Sequence, residues 1–211
     1  MAIIMFNTQE KKERSLGTKL FLKAHRCSSP KCATVRNPYG PGAHGKARRR
    51  APSEFGEQLH EKQKIRLSYG LRDAAMKRLY RDAAKNPGVT GAVMINNLER
   101  RLDNVVYRLG FAPSRSVARQ MVSHGHMKVN GRRVTIPSYL VKPNDAVIVR
   151  PESMEMPMIK ELSNTLKKYE PPVWLHMDKE KMEGKVVSPP KDTEFPFNMN
   201  LVVDYYSKVT K

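Results

Sequence analysis

The chain has 211 residues, of which 39 are Lys or Arg and 20 are Asp or Glu, so its formal net charge is +19. A positive field of this size attracts polyanions, and a chain of this length leaves no room for a large catalytic domain beside a binding domain. Two cysteines are too few for a disulfide framework. The sequence also lacks the ~18 consecutive apolar residues of a membrane span and the ~7–15 of a signal-peptide core. We therefore expect a soluble, unprocessed cytoplasmic protein that binds nucleic acid and not a membrane.

The excess positive charge is confined to the first 150 residues. Basic residues outnumber acidic ones by 20 to 7 in residues 1–97 and by 10 to 3 in residues 98–150, whereas the last 61 residues contain 9 and 10. This distribution predicts two basic modules followed by a near-neutral tail, and the helix and strand patterns described below predict an α+β protein in three segments. They are a basic loop and helical module at residues 1–97, a compact helix–helix–hairpin RNA-binding domain at residues 98–160, and a mixed tail at residues 161–211 that packs on the body.

Residues 27–52 contain so many prolines and glycines that regular structure is not expected there. Within this stretch, Lys46, Arg48, Arg49 and Arg50 place four cations in five residues. Such a cluster repels itself unless phosphates neutralise it, so we predict a shaped loop that inserts into RNA. A solvated basic loop is the alternative.

Two helices are predicted next. Ser53 can cap a helix over residues 54–69, and a second helix follows over residues 71–85. Apolar spacing predicts burial of Phe55, Leu59 and Leu67 in the first helix and of Leu71, Ala75, Leu79 and Ala83 in the second. Away from its apolar stripe, the first helix projects three cations, Lys62, Lys64 and Arg66.

Spacings of three, four, three and four separate the apolar residues Ile95, Leu98, Leu102, Val105 and Leu109, and this pattern predicts one helix that ends at Gly110. A further helix is predicted from Pro113 and Ser114 to Gly125. Arg115 and Arg119, four residues apart, share its outer face.

A β-hairpin is predicted after these helices. Its strands flank Asn130-Gly131, the residue pair favoured in two-residue type I′ turns. Lys128, Arg132 and Arg133 surround the tip, and a last strand is predicted over residues 146–149. Helices and hairpin together are expected to bring their cations to one edge for an RNA backbone.

The run RRLDNVVYRLGFAPSRSVARQMVSHGHMKVNGRRVTIPSYLVKPNDAVIV at residues 100–149 resembles the RNA-binding domain that takes its name from small-subunit ribosomal protein four. The segments PGAHGKARRR, SEFGEQLHEKQKIRLSYG, WLHMDKEKMEGKV and LVVDYYSK resemble the bacterial form of that ribosomal protein family. The resemblance therefore covers nearly the whole chain.

This resemblance implies a structural, non-enzymatic constituent of the small ribosomal subunit. Family members bind small-subunit rRNA early in assembly at a multi-helix junction of its 5′ domain, contribute to translational accuracy, and meet ribosomal proteins three and five around the channel through which mRNA enters. The resemblance implies that four cations of this chain lie at that channel, namely Lys46, Arg48, Arg49 and Arg50. The implied rRNA-binding residues are those four together with Lys62, Lys64, Arg66, Arg101, Arg115, Arg119, Lys128, Asn130, Arg132 and Arg133. We expect mainly backbone contacts, and no small-molecule substrate.

The resemblance also raises a metal question. Some bacterial members bind zinc through four cysteines, and Cys27 and Cys32 have the spacing of the second pair, whereas Glu10 and Glu13 stand where the first pair would fall. Because structural zinc sites are closed by four sulfur or histidine ligands, the favoured interpretation is two buried free thiols and no cofactor. Zinc on Cys27, Cys32 and a histidine is the alternative. The histidines within reach are His25 and His44.

An enzyme is the rival interpretation. Pseudouridine synthases carry the same RNA-binding domain and use the aspartate of an Arg-Leu-Asp motif, which Arg101, Leu102 and Asp103 reproduce. Here the triplet lies within the predicted helix of the binding domain, so Asp103 is interpreted as an ordinary surface carboxylate. Once residues 1–150 are assigned, no separate catalytic domain remains, which disfavours the enzyme. A ribosome-rescue or heat-shock module is disfavoured because such proteins lack the long N-terminal part.

The tail gives fewer indications. Residues 158–169 are predicted to form a short amphipathic helix that Pro171 and Pro172 end. Trp174 and Leu175 are expected to anchor the tail on the body. Residues 201–206 fit a strand or a turn of helix equally well.

Overall fold

The computed structural model describes residues 3–48, 50–166, 169–179, 181–190 and 195–209. The helices are α1 (Ile3–Leu16), α2 (Ala24–Cys27), α3 (Ala33–Arg36), α4 (Glu54–Ser68), α5 (Asp73–Ala84), α6 (Thr90–Glu99), α7 (Leu102–Arg108), α8 (Arg115–His124), α9 (Pro157–Leu166) and α10 (Met199–Val209). The strands are β1 (Met127–Val129), β2 (Arg132–Arg133), β3 (Ala146–Val149), β4 (Leu175–Asp178) and β5 (Glu183–Val186). This mixture of helices with a small sheet confirms the α+β class.

The chain forms two compact units that do not follow the three predicted segments. Residues 1–85 and 196–211 form the first unit, and residues 86–195 form the second. The predicted tail is divided between them because its strands β4 and β5 join the sheet of the second unit, while its last helix packs on α4 of the first.

Helix α4 in the first unit begins where it was predicted to begin. The Ser53 hydroxyl accepts a hydrogen bond from the Gly56 N–H and so caps the helix. The predicted buried face is wrong: Phe55 is 47 % exposed and Leu59 and Leu67 are only partly covered. The face that is buried carries Gln58, Lys62, Ile65 and Ser68.

Helix α10 is the reason for this shift of the α4 face. It packs along α4, with the Tyr205 ring 5.4 Å from that of Phe55, and the Tyr206 ring lies 5.3 Å from that of Tyr80 on α5. On α5, burial of Ala83 is confirmed, but Ala75 is exposed, and Met76 takes the central buried position. The ambiguity over residues 201–206 is thereby settled as helix.

The second unit contains two helices where one was predicted. Arg101 adopts an extended conformation (φ −63°, ψ 137°) between α6 and α7, so the predicted continuous helix to Gly110 is wrong. The break is stabilised from outside, since the Leu102 N–H donates to the Tyr139 carbonyl and the Val141 N–H donates to the Arg100 carbonyl. A single-sequence helical period cannot reveal such a distant partner.

The predicted helix from Ser114 to Gly125 and the hairpin after it are confirmed. The Ser114 hydroxyl caps α8 by accepting from the Val117 N–H, and Gly125 ends the helix at φ 77°. The hairpin pairs β1 with β2 across Asn130 and Gly131, whose positive φ values of 49° and 77° fit a type I′ turn.

The sheet of the second unit is antiparallel, in the order β2-β1-β3-β5-β4. Strand β3 has the bounds that the sequence predicts. The core of this unit lies between the sheet and the helices, and burial of Trp174 and Leu175 there confirms the predicted anchor. The predicted tail helix is present as α9 over Pro157–Leu166, and residues 167 and 168 lie outside the described residues.

Candidate nucleic-acid interface

A group of ion-paired arginines lies at the start of α7 and on α8, around the carboxylate of Asp103. Arg101 donates from Nε (3.1 Å) and Nη2 (2.9 Å), and Arg119 donates from Nε (3.0 Å) and Nη2 (2.6 Å). Asp103 is buried, so its interpretation as a surface carboxylate is wrong. One negative charge thus fixes two guanidinium planes and leaves the group a net positive charge.

A second buried carboxylate, Glu99, supports the neighbouring arginines. It accepts from Asn104 Nδ2 (2.9 Å) and from Arg108 Nε (3.1 Å) and Nη2 (3.0 Å). The Asn104 Oδ1 atom in turn accepts from Arg115 Nε (2.8 Å), and the Arg115 guanidinium lies 4.6 Å from the Tyr107 ring centroid. We call Arg101, Arg108, Arg115 and Arg119 the arginine row.

The hairpin contributes cations on both of its faces. Lys128 and Arg133 are directly paired across β1 and β2 and therefore share a face, whereas Arg132, one residue away, points to the other. Arg133 Nη2 donates to the His124 carbonyl at 3.2 Å. Its guanidinium occupies the place of a side chain at Gly125, so glycine is needed there for this contact as well as for the left-handed helix end.

Asn130 at the hairpin tip is engaged within the protein. Its Nδ2 donates to Asp145 Oδ1 (2.8 Å), and its Oδ1 accepts from the Ala146 N–H (2.9 Å). The Asp145 carboxylate also accepts from the Lys142 N–H (2.7 Å). The side chain predicted to bind RNA thus joins the hairpin to the start of β3 and fixes the position of the tip.

Two histidines lie beside the hairpin, with ring centroids 6.0 Å apart. His126 Nδ1 is 2.9 Å from Ser153 Oγ. Burial lowers the pKa of His126, and the charges of His124, Arg150 and Arg133 lower it further. His126 therefore adds less positive charge to this surface near pH 7 than an ordinary histidine would.

The N-terminal basic loop is fixed by Arg14 of α1. Its Nε donates to the carbonyls of Asn37 and Tyr39 (both 3.1 Å), and its Nη2 donates to the Gly40 carbonyl (3.3 Å). The Tyr39 ring also has cations near it, with Arg14 Cζ at 5.1 Å and Lys46 Nζ at 5.2 Å from its centroid. Lys46, Arg48 and Arg50 are exposed, and Arg49 lies outside the described residues.

The three predicted cations of α4 are all engaged in ion pairs. Lys62 is buried, is paired with Asp73, and lies 5.2 Å from the Tyr205 ring centroid, so its prediction as an outward-facing cation is wrong. Lys64 pairs with Glu61, and Arg66 Nη1 lies 3.3 Å from Asp73 Oδ2. These contacts leave Lys62 without the exposure that a phosphate contact needs.

Three cations that the sequence analysis did not single out line a cavity of about 630 Å³ in the first unit. Arg26, Lys31 and Arg36 form its wall together with Ser29 and Pro30. Arg26 Nε also lies 3.0 Å from Glu10 Oε1. These cations are scattered through a proline-containing stretch, as in an ordinary solvated segment. The sequence pattern therefore did not predict the cavity.

The two thiols are buried near this cavity, as predicted. Cys27 Sγ donates to Glu13 Oε2 at 3.9 Å, and Cys32 Sγ lies 2.9 Å from Thr34 Oγ1. Burial raises the pKa of the Cys27 thiol. Within the described ranges, no three His, Cys, Asp or Glu side chains come together as a metal site.

The domain comparison agrees with this geometry. Residues 100–147 match the S4 domain, and residues 6–99 match the ribosomal protein S4/S9 N-terminal domain. The first match covers the arginine row from Arg101 onward and the hairpin. Fold and site together define an RNA-binding protein of the S4-domain class.

Whole-chain relatives identify the family. The chain is 48 % identical over 197 residues to small ribosomal subunit protein uS4 of Thermus thermophilus, 49 % identical to that of Halothermothrix orenii, and 48 % identical to that of Gloeobacter violaceus. Each alignment covers 92 % of this chain and 94 % of the relative. The chain belongs to the ribosomal protein S4 (uS4) family of the small ribosomal subunit, whose members are structural and bind rRNA.

Family membership confirms that the chain is not an enzyme, and it rejects the alternative of a pseudouridine synthase. Asp103, the residue on which that alternative depended, is buried between two arginines. None of the described helices is long and apolar enough to cross a membrane.

Proposed function

We propose that this protein binds small-subunit rRNA early in assembly and nucleates folding of a multi-helix junction in the 5′ domain. The observation that carries this proposal is the arginine row, in which two buried carboxylates hold Arg101, Arg108 and Arg119, and the Asn104 side-chain amide holds Arg115. Side chains already fixed in place lose little conformational freedom on binding, so the row suits a folded RNA whose phosphates are also in fixed positions.

We further propose that the basic loop lies at the channel through which mRNA enters, beside ribosomal proteins three and five, and contributes there to translational accuracy. Support comes from Lys46, Arg48 and Arg50, which are exposed on a loop that Arg14 anchors through three backbone carbonyls. An anchored cationic loop can hold a single-stranded polyanion without collapsing onto the protein.

Binding to a 5′-domain rRNA fragment tests the first proposal. We expect the variant with Arg115, Arg119, Arg132 and Arg133 replaced by alanine to bind at least about 100-fold more weakly at physiological salt, with the slope of log K against log salt reduced by about 0.7–0.9 for each phosphate that the variant no longer neutralises. The matched control removes four cations from the same unit, Lys160, Lys179, Lys181 and Lys185. Wild-type affinity in the arginine variant, or equal weakening in the control, would remove the proposed surface.

Assembly itself is tested by reconstitution. Small subunits assembled from purified components without this protein are expected to stall before the 5′ domain is protected from chemical probing, and late addition is expected to restore protection slowly. If 5′-domain protection forms at the normal rate without the protein, the nucleation proposal is wrong.

Photo-crosslinking tests the loop proposal. A crosslinking amino acid at Arg48 is expected to capture mRNA and the neighbouring ribosomal proteins in assembled subunits, whereas the same group at Lys160 captures neither mRNA nor protein three. Equal capture of mRNA from both positions would argue against a specific channel location. Misreading by subunits with Lys46, Arg48 and Arg50 replaced by alanine measures the contribution to accuracy.

We also propose that Cys27 and Cys32 act as structural thiols and that the protein needs no cofactor. Support comes from the Glu13 carboxylate, which accepts from the Leu20 N–H (3.0 Å), the Leu22 N–H (3.2 Å) and the Cys27 thiol, and thereby ties this region together. Metal analysis of purified protein is expected to give far less than one zinc per chain. Stoichiometric zinc that is lost in Cys32→Ser would overturn this proposal.

A further inference from the structure

Asp103 is a buried carboxylate whose two oxygens accept from two different arginines. Arg101 bridges both oxygens, and Arg119 donates twice to Oδ2. The Arg119 side chain remains 33 % exposed, whereas that of Arg101 is 13 % exposed. The acidic residue is therefore covered, and the part of the group that reaches solvent is cationic.

Stability alone gives a weak account of this arrangement. Burying charges requires their desolvation, and buried ion pairs often contribute no more to stability than apolar residues of the same volume. Here each of two guanidinium groups donates twice to the Asp103 carboxylate, which fixes its plane before RNA binds. The conformational entropy that a long arginine side chain would otherwise lose on binding is therefore largely lost already on folding. The clear advantage of such an arrangement lies in recognition.

We propose that Asp103 is a positioning residue for RNA binding, which holds Arg119 and Arg101 as one preorganised cationic pair for the phosphate backbone. The inference rests on the proposed function of the arginine row. It assigns a role in RNA binding to an acidic side chain, the residue type that simple charge complementarity would exclude from such a surface.

Asp103→Asn distinguishes positioning from simple electrostatics because the two predict opposite changes in RNA affinity. Removing a negative charge beside an RNA site strengthens binding if only the net field matters. Loss of positioning weakens it, and we expect about 5- to 10-fold lower affinity for the 5′-domain fragment at physiological salt. The control Glu155→Gln removes the same charge from an exposed position of the same unit and is expected to leave affinity unchanged or slightly higher.

A double-mutant cycle separates positioning from a general structural role. In the Arg101→Ala/Arg119→Ala background, Asp103→Asn is expected to have no further effect on affinity, because the groups that it positions are gone. An equal loss in both backgrounds would overturn the proposal. All affinities are measured where the fluorescence of Trp174, the single tryptophan and a core residue of this unit, shows the variant to be folded.

Asp103→Glu provides a second variant if the asparagine substitution prevents folding. It keeps the charge but moves the carboxylate by one methylene group, so electrostatics predicts unchanged affinity, whereas positioning predicts a measurable loss. Unchanged or tighter binding in both the Asn and Glu variants would overturn the inference. If Arg101→Ala/Arg119→Ala itself binds like the wild type, the proposed RNA surface fails instead, so the two failures are distinguishable.

Discussion

Replacing Glu99 by glutamine removes one charge from a fully buried position while preserving the shape of the side chain. The Glu99 carboxylate accepts two hydrogen bonds from Arg108 and one from Asn104. Glutamine offers one acceptor oxygen and turns its NH₂ group toward a donor, so the variant keeps at most part of this set. The perturbation therefore affects Arg108 and Asn104, both within the second unit.

The magnitude follows from these contacts. Hydrogen bonds to charged groups contribute about 1.5–3 kcal/mol each and neutral ones about 0.5–1.5 kcal/mol, so exchanging two of the former for one of the latter costs about 2.5–4.5 kcal/mol. Arg108 is 23 % exposed, and water can solvate part of its released charge. We therefore expect a loss of about 2–3 kcal/mol, below the 3–5 kcal/mol typical of breaking a fully buried pair.

Urea unfolding followed by Trp174 fluorescence measures this loss, because the single tryptophan lies in the core of the second unit. With a slope of about 2 kcal/mol per M, Glu99→Gln is expected to lower the midpoint by about 1–1.5 M. Glu155→Gln, the exposed control, is expected to leave it within about 0.2 M of the wild type. A Glu99→Gln midpoint equally close to the wild type would refute the argument that the buried carboxylate supports the arginine row.

Three other perturbations have defined outcomes. Gly131→Ala meets no neighbouring atom but forces alanine to φ 77°, so we expect a loss of about 1–2 kcal/mol in the same urea assay, and a smaller cost would contradict the I′ turn. Tyr206 has a buried hydroxyl that makes no hydrogen bond within the described part of the chain, so Tyr206→Phe should leave the helical circular-dichroism transition unchanged or raise stability by up to about 1 kcal/mol, and marked destabilisation would reveal a partner. The pKa of His126 is lowered in the folded state, so the unfolded state takes up its proton first on acidification. The stability that neutral His126 contributes is complete above pH 6.5, its ordinary pKa, and is lost as the pH falls from there through the folded pKa. His126→Asn is expected to flatten this dependence of unfolding free energy on pH.

Local sequence features predicted the second unit well. A capping serine at 114, a helix-ending glycine at 125 and an Asn-Gly turn act over a few residues, and all three are present as predicted. Each depends on backbone conformations that few residue types adopt, so the sequence alone determines them. Arg115, Lys128, Arg132 and Arg133 lie on or beside these elements, and their binding to RNA stays a prediction, whereas Arg108 was not predicted.

Distant contacts account for the errors. The buried face of α4 is set by α10, which follows it by more than 100 residues, so no local pattern could show that Lys62 would be covered while Phe55 stays exposed. The break at Arg101 likewise depends on residues near position 140. Asp103 and Glu99 were missed as site residues. An acidic side chain in a basic protein is ordinarily expected at the surface, and only the structure shows the arginines with which these two are paired.

The position of α10 has a consequence for the order of events during synthesis. The ribosome makes residues 86–195, the whole second unit, after α4 and before the helix that covers it. Domains usually fold as units while the chain grows. In this chain the second unit is complete before the first, although the first begins earlier in the sequence. The nascent N-terminal part must therefore wait, with Phe55 and Lys62 lacking their neighbour Tyr205, until the last helix is translated.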